Sequence, residues 1–152
     1  MPMNKTTKRK SRIPDDFETV AELRLALRHF QAATDQITST HALTTRQYDL
    51  LALLHAPSRR GALASEMADL LHISRNAMSE LVSRAQHAGL VTRSEDPADA
   101  RRKPLAPTPE GTTRYRAAVK DLQPERDELI SILRRATKNA ARLQSGSDTR
   151  QS

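Results

Sequence analysis

The chain has 152 residues, with 25 Lys and Arg against 18 Asp and Glu, no Cys and no Trp. The absence of cysteine excludes a disulfide framework, a thiolate zinc site and a thiol redox sensor, and no run of about 18 apolar residues is present to span a membrane. The formal charge of +7 and a pI near 10.4 make nucleic acid the first partner to consider.

Five of the seven net positive charges fall in residues 1–12, as Lys5, Lys8, Arg9, Lys10 and Arg12, with no acid among them. Residues 1–13 therefore read as a disordered basic tail, too polar to pack. The tail has no apolar stretch behind it, so it does not read as a secretory signal, and the expected compartment is cytoplasmic. At the other end, residues 145–152 read as a second disordered tail.

Pro14, Asp15 and Asp16 suit a helix's first turn. Val20, Leu23, Leu27, Phe30 and Ile37 recur at helical spacing, so residues 15–39 read as one long amphipathic helix. Thr44 with Gln47 forms a capping-box pattern ahead of a helix that carries Tyr48, Leu51 and Leu54 and ends near His55. Residues 56–61 hold Pro57 and Gly61 and read as a loop. A short helix over 64–71 and a second over 74–88 follow, the second capped by Ser74. It is closed by Gly89 and Leu90 in a Schellman pattern. Residues 90–107 read as a hairpin with a long charged tip. Pro104 and Pro107 cannot donate to a ladder, so the returning strand is expected to be short and irregular. Thr108, Pro109 and Glu110 start another helix. Pro124 breaks or restarts it, and a last helix covers about 125–144 with Leu129, Leu133, Ala136, Ala140 and Leu143 as its stripe.

Two short helices joined by a tight turn and followed by a charged hairpin make a winged helix-turn-helix pattern. In such a unit the second helix enters the major groove and offers its first turn to base edges. Arg75 and Asn76 lie in that turn, and Arg suits guanine as Asn suits adenine. Ser79, Ser83 and Arg84 continue the polar face, and Ser74 combines the cap with a phosphate contact. Arg93, Arg101, Arg102 and Lys103 crowd the hairpin, where arginine can follow the backbone or a narrow minor groove. Asp99 reads as an acid that orients Arg101 or a neighbouring basic residue.

The stretch from Leu43 to Gly111 resembles the MarR family of winged-helix transcription regulators. LTTRQYDLLALL is similar to the helix before that family's DNA-binding unit, and SEMADLLHISRNAMSELVSRAQHAGLVTR resembles its helix-turn-helix. EDPADARRKPLAPTPEG resembles its wing, with Asp99 and Arg101 and with Thr108 and Gly111 at the family's spacings. The chain departs from that pattern at His72, where the family usually has glycine, and at Glu80, where a basic residue is common.

The fold class expected is mainly α with a small β-wing: a winged helix over 43–107, flanked by dimerisation helices at 14–40 and 108–144. The resemblance implies a homodimer held by its terminal helices, and the two apolar terminal stripes support that reading. Its recognition helices would be one DNA turn apart, about 34–36 Å, facing a pseudo-palindromic double-stranded operator. The resemblance also implies repression released by a small, often aromatic or acidic effector. Arg24, His29, Tyr48 and His55 lie near the junction such an effector occupies, but none is assigned as a ligand-binding residue. No catalytic motif stands out, no cofactor is expected, and the five histidines show no tight ligand pair, so no metal site is expected. Two other readings remain: a helical protein-interaction module that has lost sequence reading, and a non-specific nucleic-acid binder working through the basic tail.

Overall fold

The computed structural model describes residues 17–59 and 61–145. The tails over 1–13 and 146–152, and the helix start at Pro14, Asp15 and Asp16, lie outside the described residues, as do the side chains of Ala140 and Leu143. The elements run α1 (Phe17–Thr40), α2 (Thr45–His55), a single 3₁₀ turn (Pro57–Arg59), α3 (Ala64–Leu70), α4 (Arg75–His87), β1 (Val91–Arg93), β2 (Leu105–Pro107), α5 (Pro109–Asp121) and α6 (Gln123–Ser145). The architecture is mainly helical with one two-stranded antiparallel sheet. It departs from the sequence reading in three details. The segment read as a loop after α2 contains the 3₁₀ turn, α3 stops at Leu70, and α6 begins at Gln123 with Pro124 already in its first turn. Proline is tolerated there because the first N–H groups of a helix have no intrahelical acceptor.

Side-chain hydrogen bonds mark the start of each helix in the middle of the chain. Thr44 accepts from Gln47 N–H at 3.2 Å while Gln47 Oε1 accepts from Thr44 N–H at 2.9 Å, a full capping box. Ser74 Oγ accepts from Ala77 N–H at 3.1 Å at the head of α4. Leu63 has no acceptor to offer α3, so Glu66 Oε2 takes the Leu63 N–H at 2.7 Å instead.

Three helices end in the same 6→1 and 5→2 Schellman turn. After α4, Leu90 N–H reaches Ala85 O and Gly89 N–H reaches Gln86 O, with Gly89 at φ +70. After α1, Leu43 N–H reaches Thr38 O around Ala42 at φ +53; after α3, Ile73 N–H reaches Ala68 O around His72 at φ +52. Left-handed backbone costs a residue with a Cβ about 1–2 kcal/mol. At Ala42 and His72 the chain carries that cost so that Leu43 and Ile73 turn inward.

The core sits in the middle of the chain. Leu50 and Leu51 of α2, Met67 of α3, Met78 and Val82 of α4, and Leu90 are fully buried. Each side chain of that size contributes roughly 1.5–3 kcal/mol on burial. Leu105 of β2 closes this cluster, and its N–H donates to Ala62 O at 3.1 Å, tying the wing to the segment before α3. α1 and α6 pack along each other outside this core. Few residues of these two helices are buried: Ala26, Thr34 and Thr38 in α1 and Ala136 in α6. The two threonine hydroxyls donate back to Phe30 O (2.7 Å) and Thr34 O (2.8 Å), which lets them be buried without loss.

Candidate nucleic-acid interface

The sequence of α4 divides cleanly between two faces. Met78, Leu81, Val82 and Ala85 are buried against the core, while Arg75, Asn76, Ser79, Ser83 and Arg84 are exposed. The inward set fixes the helix, and the outward set is left to solvent or to a partner. Ser74 caps this helix and is itself exposed, so its hydroxyl stands at the rim of the same face.

Two of the outward residues meet the wing base. Arg75 and Ser79 of α4 and Arg93 of β1 line one small cleft of about 170 Å³, together with Ser65 from α3. Ser65 carried no signal in the sequence; only the crossing of α3 over α4 brings its hydroxyl there. A second cleft lies on the other side of α4, where Glu80 and Arg84 face Thr45 and Arg46 at the start of α2. Glu80 Oε2 is 3.6 Å from the Arg84 guanidinium, an exposed i,i+4 pair. The carboxylate at position 80 therefore has a partner on its own helix. Arg46 is a cation that reasoning from the helix-turn-helix pattern alone passes over.

The wing pairs for only three residues on each side, Val91 with Pro107, Thr92 with Ala106 and Arg93 with Leu105. Beyond Ser94, which donates to Pro104 O at 2.9 Å, the tip is held by backbone bonds, among them Arg102 N–H to Asp99 O at 2.9 Å, and by two side chains. Asp96 Oδ1 accepts from Ala98 N–H at 2.9 Å and Asp99 Oδ1 from Arg101 N–H at 3.0 Å. Both are Asx turns. Asp99 thus shapes the backbone at Arg101, and the carboxylate that faces a wing guanidinium is Asp96, 3.6 Å from Arg102. Arg101, Arg102 and Lys103 are all exposed.

The wing is joined to α5 by a tight knot. Thr108 Oγ1 donates to Gly89 O and accepts from Gly111 N–H at 3.0 Å, while Thr108 N–H donates to Leu90 O at 3.0 Å. A Cβ at Gly111 would lie 2.0 Å from Leu90 O and 2.9 Å from Leu90 C. The threonine and the glycine three residues on are therefore one device: the hydroxyl ties α5 to the end of α4, and the missing side chain lets the two backbones touch.

The model of the MarR family matches residues 42–102. Over those residues the winged helix of this chain is similar to the MarR family. No curated protein matches the sequence. Solved structures do. A MarR family transcription regulator is 23% identical and superposes with a TM-score of 0.68, covering 88% of this chain and 91% of its own. MepR of S. aureus in complex with DNA is 21% identical at a TM-score of 0.65, covering 86% and 96%. CouR of Rhodococcus jostii RHA1 bound to p-coumaroyl-CoA is 21% identical at 0.64, covering 83% and 93%. At these identities the likeness is one of fold, and it extends to the terminal helices that the family match leaves out.

The four residues that the sequence reading sets near an effector junction fall in different places. Arg24 is exposed on α1. Tyr48 and His55 of α2 meet Tyr115 of α5, with ring centroids 5.4 Å apart for the tyrosines and 4.6 Å for His55 stacked on Tyr115. His55 Nδ1–H donates to Leu51 O at 2.7 Å, which leaves Nε2 to accept from the Thr112 hydroxyl at 3.2 Å. Burial pushes both phenols above their ordinary range, so neither ionises near neutral pH. The cluster is an aromatic clamp between the winged helix and α5. His29 lies elsewhere, beside Glu125 at the start of α6. Among the described residues no helix is long and apolar enough to cross a membrane.

Proposed function

We propose that this chain is a cytoplasmic, sequence-specific DNA-binding transcription regulator that acts as a homodimer and represses until a small effector binds. The observation that carries this reading is the convergence of Arg75, Ser79 and Arg93 around one cleft on the exposed face of a capped, core-anchored helix. Cations and hydroxyls on a rigid helix, beside a basic hairpin, suit phosphates and base edges. Arg75 and Asn76 read bases, with Ser79, Ser83 and Arg84 alongside and Ser74 on phosphate. Arg93, Arg101, Arg102 and Lys103 hold the flanking backbone and minor groove, with Asp99 supporting the wing. The MarR-family match and the fold shared with a protein solved on DNA support the same reading. This is a binding surface rather than a catalytic centre.

Dimerisation rests on the terminal helices, over 14–40 and 108–144. Phe17 (72% exposed), Val20 (57%) and Leu27 (44%) share one face of α1, and Ile130 and Leu133 one face of α6. An isolated chain would leave these side chains in water. The effector belongs between those helices and the winged helix. That CouR is bound to p-coumaroyl-CoA, an aromatic thioester, supports an aromatic or acidic effector.

Fluorescence anisotropy against the DNA upstream of the chain's own gene and a shuffled duplex, across a salt series, tests the proposal. The expected result is a preference of about a thousandfold or more for the true sequence. Arg101→Ala should weaken it without changing helix content, and deletion of residues 1–12 should spare the preference. Equal affinity for both duplexes, lost on that deletion, would leave only non-specific binding through the tail.

A further inference from the structure

α1 and α6 enclose a cavity of about 260 Å³ whose walls are largely apolar and whose rim holds Glu22, His29, Glu125 and Glu128. Three of these groups converge. The nearest donor atoms of His29, Glu125 and Glu128 all lie within 4.8 Å of one another, and His29 Nε2 stands 3.0 Å from Glu125 Oε2. Positions 125 and 128 are three apart on α6 and so share a face, while His29 comes from α1. Glu22, the other carboxylate at the rim, is paired with Arg135. An imidazole carries at most one positive charge against the two carboxylates beside it, so the cluster has room for a cation.

We propose that His29, Glu125 and Glu128 form a binding site for a transition-metal dication, Zn²⁺ foremost, that ties α1 to α6. One imidazole nitrogen and two carboxylates are a donor set that zinc accepts, with a fourth position left to water. Ligands about 2.0–2.2 Å from tetrahedral zinc lie about 3.4 Å from one another. The His29–Glu125 separation is already inside that value. The His29 side chain is 64% exposed and Glu128 is exposed as well, so both can rotate the remaining distance. The imidazole selects against Mg²⁺ and Ca²⁺, which take oxygen ligands in larger numbers. None of the three residues belongs to the DNA-facing surface; all three lie on the terminal helices, so the site is distinct from the proposed DNA contacts. The sequence hides it because the histidine and the carboxylates are separated by most of the chain.

The test is titration of the metal-free full chain with Zn²⁺ in competition with a chromophoric chelator, and with Co²⁺ while its visible d–d bands are followed. His29→Ala and Glu128→Gln remove one ligand each at exposed positions, and far-UV circular dichroism checks that both variants keep their helices. The expected result is one tight Zn²⁺ per chain, with affinity at least about tenfold weaker in each variant. Excess Mg²⁺ should not displace it, and Zn²⁺ should raise Tm in the parent chain more than in either variant. His41→Ala, which removes a second histidine–carboxylate pair (His41 Nε2 to Asp121 Oδ2, 2.8 Å), should leave the tight site intact. No Zn²⁺ binding would overturn the proposal, as would affinity unchanged in both ligand variants or lost only in His41→Ala.

Discussion

The winged helix and the stem of α1 and α6 are built on opposite terms. In the winged helix, short helices and a small sheet close on one another, and Leu50, Leu51, Met67, Met78, Val82 and Leu90 leave almost no surface to water. The stem has twice the helix length in each element and far less burial. Its buried positions are mostly small or polar, Ala26, Thr34, Thr38 and Ala136, while Phe17, Val20, Leu27 and Leu133 face outward. Compact packing within one chain makes the first region self-sufficient. The second has an apolar face that one chain does not cover, which is where a second copy would contribute. Apolar periodicity alone does not say what a helix packs against: both regions show it, and only one consumes it internally.

The largest effect is expected from opening the core of the winged helix. Gly111→Ala drives a Cβ to 2.0 Å from Leu90 O, a backbone atom with little room to retreat. Overpacking of this kind should cost about 3 kcal/mol or more. Urea unfolding measures it, and a loss below about 1 kcal/mol would show that α5 shifts freely away from Leu90. Next in size is the stem. Leu27→Glu places a charge on the exposed stripe, where it should leave the isolated fold intact and weaken self-association by roughly tenfold to a hundredfold, about 1.4–2.8 kcal/mol. Sedimentation at several concentrations reads this directly. An unchanged association constant would remove that face of α1 from the interface.

Two smaller effects are expected within the winged helix itself. His72→Gly relieves a left-handed residue at φ +52 and should gain about 0.5–1 kcal/mol, since glycine's extra chain entropy offsets part of the relief. A neutral result in thermal unfolding would mean that the histidine is held by contacts of its own. The smallest effect is expected at Asp49. Burial raises its pKa above the ordinary 3.8, Arg46 pulls it down and Asp35 pushes it up. A raised folded-state pKa means that the folded chain holds its proton more tightly than the unfolded chain does. The contribution to stability is therefore complete below the unfolded value and is lost as pH rises through the folded one. Asp49→Asn should accordingly give a slight gain at pH 7 that disappears below about pH 3.8. A gain that persists in acid would have another cause.

Much of this was legible in the residues. The capping box at Thr44, the Ser74 cap, the Schellman turn at Gly89 and the proline-limited wing strand are local devices, each set by atoms within a few residues of one another, and each could be read in order along the chain. The division of α4 into an anchoring and an outward face followed from its 3.6-residue period. Ala42 was not legible, because alanine gives no sign that its backbone turns left-handed; the demand comes from Leu43, which must point inward. Asp96 was passed over as the partner of Arg102, since the fold of the wing tip decides which carboxylate faces which guanidinium. Ser65 and Arg46 were missed for the same reason.

The residues alone determined the caps that start the middle helices, which faces are apolar, and that basic side chains crowd the wing, because those properties depend on neighbours no more than four or so residues away. The tertiary structure alone decided what distant segments do together. It placed Gly111 against the Leu90 carbonyl, stacked His55 on Tyr115, gathered Ser65 and Arg93 around Arg75, and set His29 of α1 beside Glu125 of α6. Each of those contacts depends on the angle and depth at which two packed elements meet. Interdigitating side chains along the whole interface fix that angle, and no single residue carries it.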